Sequence, residues 1–191
     1  MSKGIMKVAC LSVLALLATA QTASAQLDDI WYLGISGGEA LEDWDDGGFL
    51  DADDSTVLGA QIGFTFRDES FFGFQFEFKY RDYDGFDYGS GANTSELDGW
   101  SVSARPKLYM GNGKIHPILF VGLGWMEMDA KSNFSAPDLS GKDTFFEVGG
   151  ALEFDVTERV SLFIEAGYVI PDDHLDGLEM IDVMGGINFK F

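Results

Sequence analysis

From Phe72 to Tyr80 every second residue is aromatic: Phe72, Phe74, Phe76, Phe78 and Tyr80. The residues between and after them are Gly73, Gln75, Glu77, Lys79 and Arg81, small or polar and ending in charge. A period of two is the signature of a β-strand, whose side chains alternate between faces. One face of this strand is wholly aromatic and the other is wet. In a water-soluble sheet the aromatic face would cover a core and the charged face would meet solvent. The rest of the chain decides against that arrangement.

The chain opens with Met-Ser-Lys-Gly-Ile-Met-Lys, two lysines and no acid. An apolar run of 13 residues, Val8 to Ala20, follows, and then Gln21-Thr22-Ala23-Ser24-Ala25. A basic start, an apolar stretch and a small-x-small site predict a signal peptide over residues 1–25, cleaved between Ala25 and Gln26. The run is too short for a comfortable transmembrane helix. Cys10 lies at its beginning, whereas a lipoprotein cysteine stands at the end. The expected mature chain, residues 26–191, has 166 residues, one domain's worth. It has no cysteine, and therefore neither disulfides nor thiolate metal sites.

Two of the 12 basic residues leave with the signal, so ten face 32 acids and the net formal charge is −22. Nucleic acid is an implausible partner for such a polyanion. After residue 25 no apolar run approaches the roughly 18 residues of a membrane helix. A closed barrel can also span a bilayer.

Alternation recurs in eight segments: 29–38, 56–66, 71–81, 99–110, 115–126, 144–156, 159–170 and 181–191. Pro106 lies within the fourth, which is unusual for a central strand. The connections alternate strictly between long and short. The short ones are 67–70, Gly111-Asn112-Gly113-Lys114 and Thr157-Glu158; Asn-Gly supplies the positive φ that a hairpin turn needs. The long ones are 39–55, 82–98, 127–143 and 171–180, the second rich in Gly, Asp, Tyr and Ser. About ten residues, tilted, cross the hydrocarbon of a bilayer. An even strand number with short turns at one end and long loops at the other predicts an all-β fold, an eight-stranded antiparallel up-and-down transmembrane barrel.

The soluble rival is a lipocalin-like barrel, apolar inside and wet outside. Its wet faces would not be crowded with glycine, yet here Gly34, Gly59, Gly63, Gly73, Gly122, Gly124, Gly149, Gly167 and Gly186 all fall there. Small residues suit the cramped inside of an eight-stranded barrel. The apolar faces carry aromatics toward both strand ends: Trp31, Phe64, Phe66, Phe72, Phe154, Phe189 and Phe191 at the short-turn end, and Tyr80, Trp100, Trp125, Phe146 and Tyr168 at the long-loop end. Two aromatic girdles are a lipid-interface pattern.

The signal peptide, Trp31 to Gly38, the glycine-bearing strand from Pro117 to Trp125, and the ending Ile187-Asn188-Phe189-Lys190-Phe191 carry a family resemblance. The chain resembles the small eight-stranded outer-membrane barrels of Gram-negative bacteria, the class of the OmpA transmembrane domain, OmpX, Ail and NspA. That resemblance covers the whole mature chain and implies both termini in the periplasm. It implies that Phe189 and Phe191 form the signal read by the barrel-assembly machinery. It also implies contact with outer-membrane lipid and lipopolysaccharide, a porin-like classification, and a barrel without an appended peptidoglycan-binding domain. Closure leaves no free edge, so a monomer is expected.

Three constellations bear on chemistry. Acids at Glu77, Glu147, Glu153, Asp155, Glu165 and Asp182 and bases at Lys79, Arg81, Arg105, Lys107, Arg159 and Lys190 are expected to point inward. Charges so enclosed must pair or neutralise, and the expectation is a salt-bridged plug that holds strand register. A narrow pore opened by exchange of an ion pair is the functional alternative. The second is loop acid: the four long segments hold 21 acids and two lysines. Within them Asp43, Asp45, Gly48 and Asp51 fit positions one, three, six and nine of a calcium loop. Gly47 and Asp54 break the pattern, so the expectation is an acidic loop collecting divalent cations loosely. The third is catalysis, since some barrels of this kind modify lipid A. Neither His116 nor His174 has a serine at nucleophile spacing, and no enzyme and no cofactor are expected. What remains is a structural or surface-interactive role, with a narrow channel or an adhesin as alternatives.

Overall fold

The computed structural model describes residues 29–42, 55–66, 72–90, 93–111, 113–132, 141–172, 175 and 179–191. They form eight strands: β1 (Asp29–Glu42), β2 (Ser55–Phe66), β3 (Phe72–Ser90), β4 (Asn93–Met110), β5 (Ile115–Ser132), β6 (Gly141–Thr157), β7 (Val160–Pro171) and β8 (Met180–Lys190). Each pairs antiparallel with its neighbour in sequence, and β1 pairs with β8, closing the sheet into an up-and-down barrel. The last residue completes the seam. Phe191 N donates to Trp31 O at 2.9 Å, and Trp31 N donates to Phe191 O at 3.3 Å. The expected signal peptide with its Ala25–Gln26 site, the segment Asp43–Asp54 and His174 lie outside the described residues.

At the short-turn end the strands begin and stop within two residues of the alternation in the sequence. At the other end they run on. β3 to β6 are 17 to 19 residues long, against 11 to 14 for the other four. Residues 82–98, expected as a loop, instead continue β3 and β4 as a hairpin. Its register passes from Tyr83 opposite Gly99 to Phe86 opposite Leu97, a one-residue bulge. Gly85 takes φ +82° within it, and its N–H donates to Asp98 Oδ1 at 3.3 Å. Residues rich in Gly, Asp and Ser therefore form a bulged ladder, because strand pairing overrides their weak β-propensity. Since about ten residues span the hydrocarbon, this hairpin rises well above it.

The turns correct two further expectations. In the β4–β5 turn the positive φ falls on Gly111 (+97°) and not on Gly113. The β6–β7 turn is Glu158-Arg159, one residue later than expected, next to a register shift between Asp155 and Thr157. Pro106 stands opposite Phe76 of β3. Pairing with β5 stops at Ala104–Leu123 and resumes at Lys107–Phe120 in unchanged register. A residue without an N–H interrupts the ladder there without shifting it.

The molecule is apolar outside and polar inside. Phe74, Leu123 and Ile164 are 65%, 69% and 62% exposed, and every strand from β1 to β8 carries exposed large hydrophobics. Soluble monomers expose only small apolar patches, so an unbroken belt of this kind is built for lipid. The aromatics sit on it as the alternation requires. Trp31, Phe66, Phe72, Phe154, Phe189 and Phe191 are exposed at the short-turn end, and Tyr80, Trp125 and Phe146 at the other. Phe64 ties three of its neighbours together, with ring centroids 5.2 Å from Trp31, 4.8 Å from Phe66 and 5.9 Å from Phe76.

A facing this definite has an asymmetric consequence. Phe78→Lys, on the belt, should cost about 2–4 kcal/mol and abolish the fast-migrating unboiled band on SDS gels. Gln75→Glu, inside and directly opposite Lys107, should refold with near wild-type yield. Equal damage from both would mean that the faces are misassigned.

Candidate functional site

The candidate site is the barrel interior, and strand period alone decides who enters it. Glu77, Lys79 and Arg81 alternate with outward residues on β3, so all three must face the same way. β4 adds Arg105 and Lys107, β6 adds Glu147, β7 adds Glu165 and β8 adds Asp182. All eight are buried. They form a middle storey of four carboxylates and four cations. Lys79 pairs with Glu165 and Arg81 with Glu147. Arg81 Nε lies 3.2 Å from Asp182 Oδ2. Arg105 reaches Glu165 at 3.1 Å, Glu77 at 3.3 Å and Glu147 at 3.5 Å, and Lys107 reaches Glu77 at 2.7 Å. The Arg105 guanidinium also lies 3.8 Å from the centroid of the Phe120 ring, a cation–π contact. Tyr32 and Tyr83 hydroxyls donate to Glu77 at 2.7 Å and Asp182 at 3.1 Å. Removing an ion from water costs several kcal/mol even after relaxation. The four carboxylates and both guanidiniums recover that cost from more than one partner each, Lys79 and Lys107 from one carboxylate each.

A second storey lies toward the short turns. Lys190 Nζ stands 2.6 Å from both Glu153 and Asp155, and His116 Nε2 stands 3.0 Å from Asp155 Oδ2. His116 is fully buried, stacked on Tyr109 with ring centroids 4.5 Å apart. Asn188 accepts from Gln61 at 2.9 Å and donates to Glu153 at 3.3 Å. Arg159, expected among the inward bases, is instead exposed in the β6–β7 turn. The turn falls one residue later than the sequence suggests, so Arg159 belongs to the bend and not to the strand.

The third storey, toward the long connections, is apolar. Ala40, Val57, Tyr83, Met126, Met128, Phe145, Val169, Met180 and Met184 cluster there beneath Leu175 of the β7–β8 connection. Leu175 N donates to Asp143 Oδ2 at 3.0 Å, which holds it in place. Sequence reasoning missed this cap. Ending the fifth strand at residue 126 left Met128 in a supposed loop, and its inward alternation with Met126 went unseen.

The other signal that escaped is a pairing rule. Among the described residues six aromatics point inward, and each has a glycine as its direct cross-strand partner: Tyr32–Gly63, Tyr83–Gly99, Tyr109–Gly73, Phe120–Gly149, Phe145–Gly124 and Phe163–Gly186. A Cβ on Gly124 would fall 2.1 Å from the Phe145 ring, and one on Gly186 would fall 2.5 Å from Phe163. At Gly63, Gly124, Gly149 and Gly186 the partner ring itself lies over the glycine, the aromatic rescue of glycine in a sheet. At Gly99 the Met128 sulfur takes the space, and the Tyr109 ring stacks on His116 and does not cover Gly73. Alternation shows the glycines, but only the register matches each to its ring.

Chemically, the interior binds its own charges. Among the described residues no cluster of three or more His, Cys, Asp or Glu has metal-holding geometry, and no hydroxyl nucleophile bonds to His116. Phe189 is exposed on β8, and Phe191 closes the seam through its backbone.

The sequence profile of the outer membrane protein β-barrel domain family matches residues 9–189. No curated protein matches the sequence significantly. Among solved structures, Neisserial surface protein A is similar at a TM-score of 0.57 and 13% identity, over 88% of this chain and 100% of that one. Ail, the attachment invasion locus protein of Yersinia pestis, gives 0.55 and 19%, over 85% and 97%. The outer membrane enzyme PagL gives 0.50 and 10%, over 83% and 98%. Identities this low speak for the fold alone.

The middle storey can be tested by unbalancing it. Glu147→Gln leaves Arg81 and Arg105 short of a counter-charge and should lower stability by about 3–5 kcal/mol in urea unfolding of the refolded protein. Glu127→Gln breaks the exposed pair with Lys142 (3.1 Å) and should change it by less than about 1 kcal/mol.

Proposed function

The chain belongs to the outer membrane protein β-barrel domain family, a Gram-negative outer-membrane protein, and from that premise we propose a structural and surface-interactive role for it. In this reading it is a sealed stave that anchors acidic connections at the cell surface. The observation that carries the proposal is the closed middle of the barrel. Arg105 and Glu147 are 0% exposed and Arg81 is 1% exposed, so no water-sized path runs beside them. A narrow porin-like channel, the alternative, would need these pairs to separate.

The rest of the reading follows family architecture. The short turns and both termini lie in the periplasm, and residues 1–25 are removed as a signal peptide between Ala25 and Gln26. Phe189 and Phe191 present the assembly signal to the barrel-assembly machinery. The aromatic belt contacts lipid and lipopolysaccharide, loosely bound divalent cations offset the acidic loops, and the closed sheet stays monomeric. No cofactor, nucleic acid partner or reaction is assigned. PagL shows that an enzyme can share this fold, but His116 here is sealed inside with Asp155 and lacks a hydroxyl nucleophile. A binding role at the surface is favoured over a purely structural one by the β3–β4 hairpin, which carries strand structure out to Ser90 and Asn93, well beyond the lipid belt.

Planar-bilayer recording of the refolded protein separates the readings. A sealed barrel gives no discrete openings over a wide voltage range. Reproducible unitary openings would replace the structural reading with the channel.

A further inference from the structure

The short-turn storey does not balance its charge unless His116 is counted. The middle storey is even, four carboxylates against four cations. Beneath it Glu153 and Asp155 share one fixed cation, Lys190. Arg159, the residue that alternation would have supplied as the second, is exposed in a turn. His116 is the remaining basic group. It is fully buried, directly opposite Glu153 in the β5–β6 ladder, and 3.0 Å from Asp155. Its Nδ1 is buried without a hydrogen-bond partner. The groups facing it are Tyr109 from β4, Glu153 and Asp155 from β6, and Lys190 of β8 beyond Asp155. Lys107, the next inward residue of β4, is committed to Glu77.

We propose that His116, Asp155, Glu153 and Lys190 form a proton-dependent latch on the terminal strand β8. With His116 as imidazolium, two cations meet two carboxylates. With His116 neutral, two carboxylates share one ammonium. The latch bears on closure because Lys190 is the last residue of β8 and stands opposite Tyr32 at the β1–β8 seam. Asn188, two residues back and inward as well, joins Glu153 of β6 to Gln61 of β2. Side chains of β6, one of them held in turn by His116 of β5, thus grip β8 across the interior, past the intervening β7, while its backbone closes on β1.

Two effects oppose each other at His116: full burial and an unpartnered Nδ1 disfavour the imidazolium, while Asp155 at 3.0 Å and Glu153 directly opposite favour it. The latch requires that the carboxylates prevail; the ion pair then exists only in the protonated form, tight in mild acid and slack in mild alkali. Histidine is the side chain whose charge ordinarily changes between about pH 5 and 8, and enclosed charges are screened little by salt.

Urea unfolding of the refolded protein at about pH 5 and about pH 8 provides the test. The wild-type midpoint should be higher at the acid end. His116→Gln keeps a donor for Asp155 but cannot titrate, so it should erase the difference, whereas His174→Gln should preserve it. A difference that survives His116→Gln overturns the proposal. Should that variant fail to refold, nitrogen NMR of histidine-labelled wild type decides, with His174→Gln assigning the signals. Two protonated ring nitrogens on His116 at the acid end and one at the alkaline end support the latch. A ring that stays neutral throughout overturns it.

Discussion

Closure of the sheet is the constraint on which everything else depends. Inside hydrocarbon no water is available to the backbone, so each N–H and C=O must be bonded within the protein. A sheet meets that demand only when its first strand finds its last. Here Trp31 and Phe191 join at the seam through both of their backbone bonds. Eight strands then set the bore, which is just wide enough for side chains to fill. The interior cannot be left empty, and it cannot be made large.

That narrow bore explains the interior as a packing problem with two solutions side by side. Rings fill volume where a glycine on the neighbouring strand makes room, as Tyr32, Phe120, Phe145 and Phe163 do among the described residues. Long cationic side chains fill volume where carboxylates on other strands can meet them. Arg105 shows the two together, touching three carboxylates while lying over Phe120, whose own floor is Gly149. Taken alone, a buried ion pair is weak evidence of stability, because desolvation can exceed the attraction. A shared network changes that balance, since each guanidinium is desolvated once and paired several times. It also specifies register. Sliding one strand by a residue would send its charged face into the lipid.

Which parts of this were legible beforehand follows from range. Alternation is local, so it assigned Phe72, Phe74, Phe76, Phe78 and Tyr80 to one face and Glu77, Lys79 and Arg81 to the other, and the same period marks strand after strand. Where local tokens conflict with pairing, the reading failed. Gly85 and its acidic neighbours read as loop but form a bulged hairpin. Met128 read as loop but caps the interior, and Arg159 read as strand but lies in a turn. Contacts such as Arg81 with Asp182 join β3 to β8, and no sequence window of a few residues contains both. The pairing of six rings with six glycines was present in the residues but invisible without the register.

Pairing inside the barrel has a consequence for the outside. The middle storey sums to zero, so it contributes nothing to the net charge of −20. That charge is displaced to the end with the long connections, whose four segments hold 21 acids against two lysines. A charge buried without a partner would neutralise itself or break the fold, whereas an exposed acid is constrained by neither packing nor register. The interior is therefore held close to neutrality by physics, and the rim is free to be acidic. Variation that alters what this surface attracts can accumulate at the rim without touching the lumen. Variation in the lumen must conserve charge pair by pair.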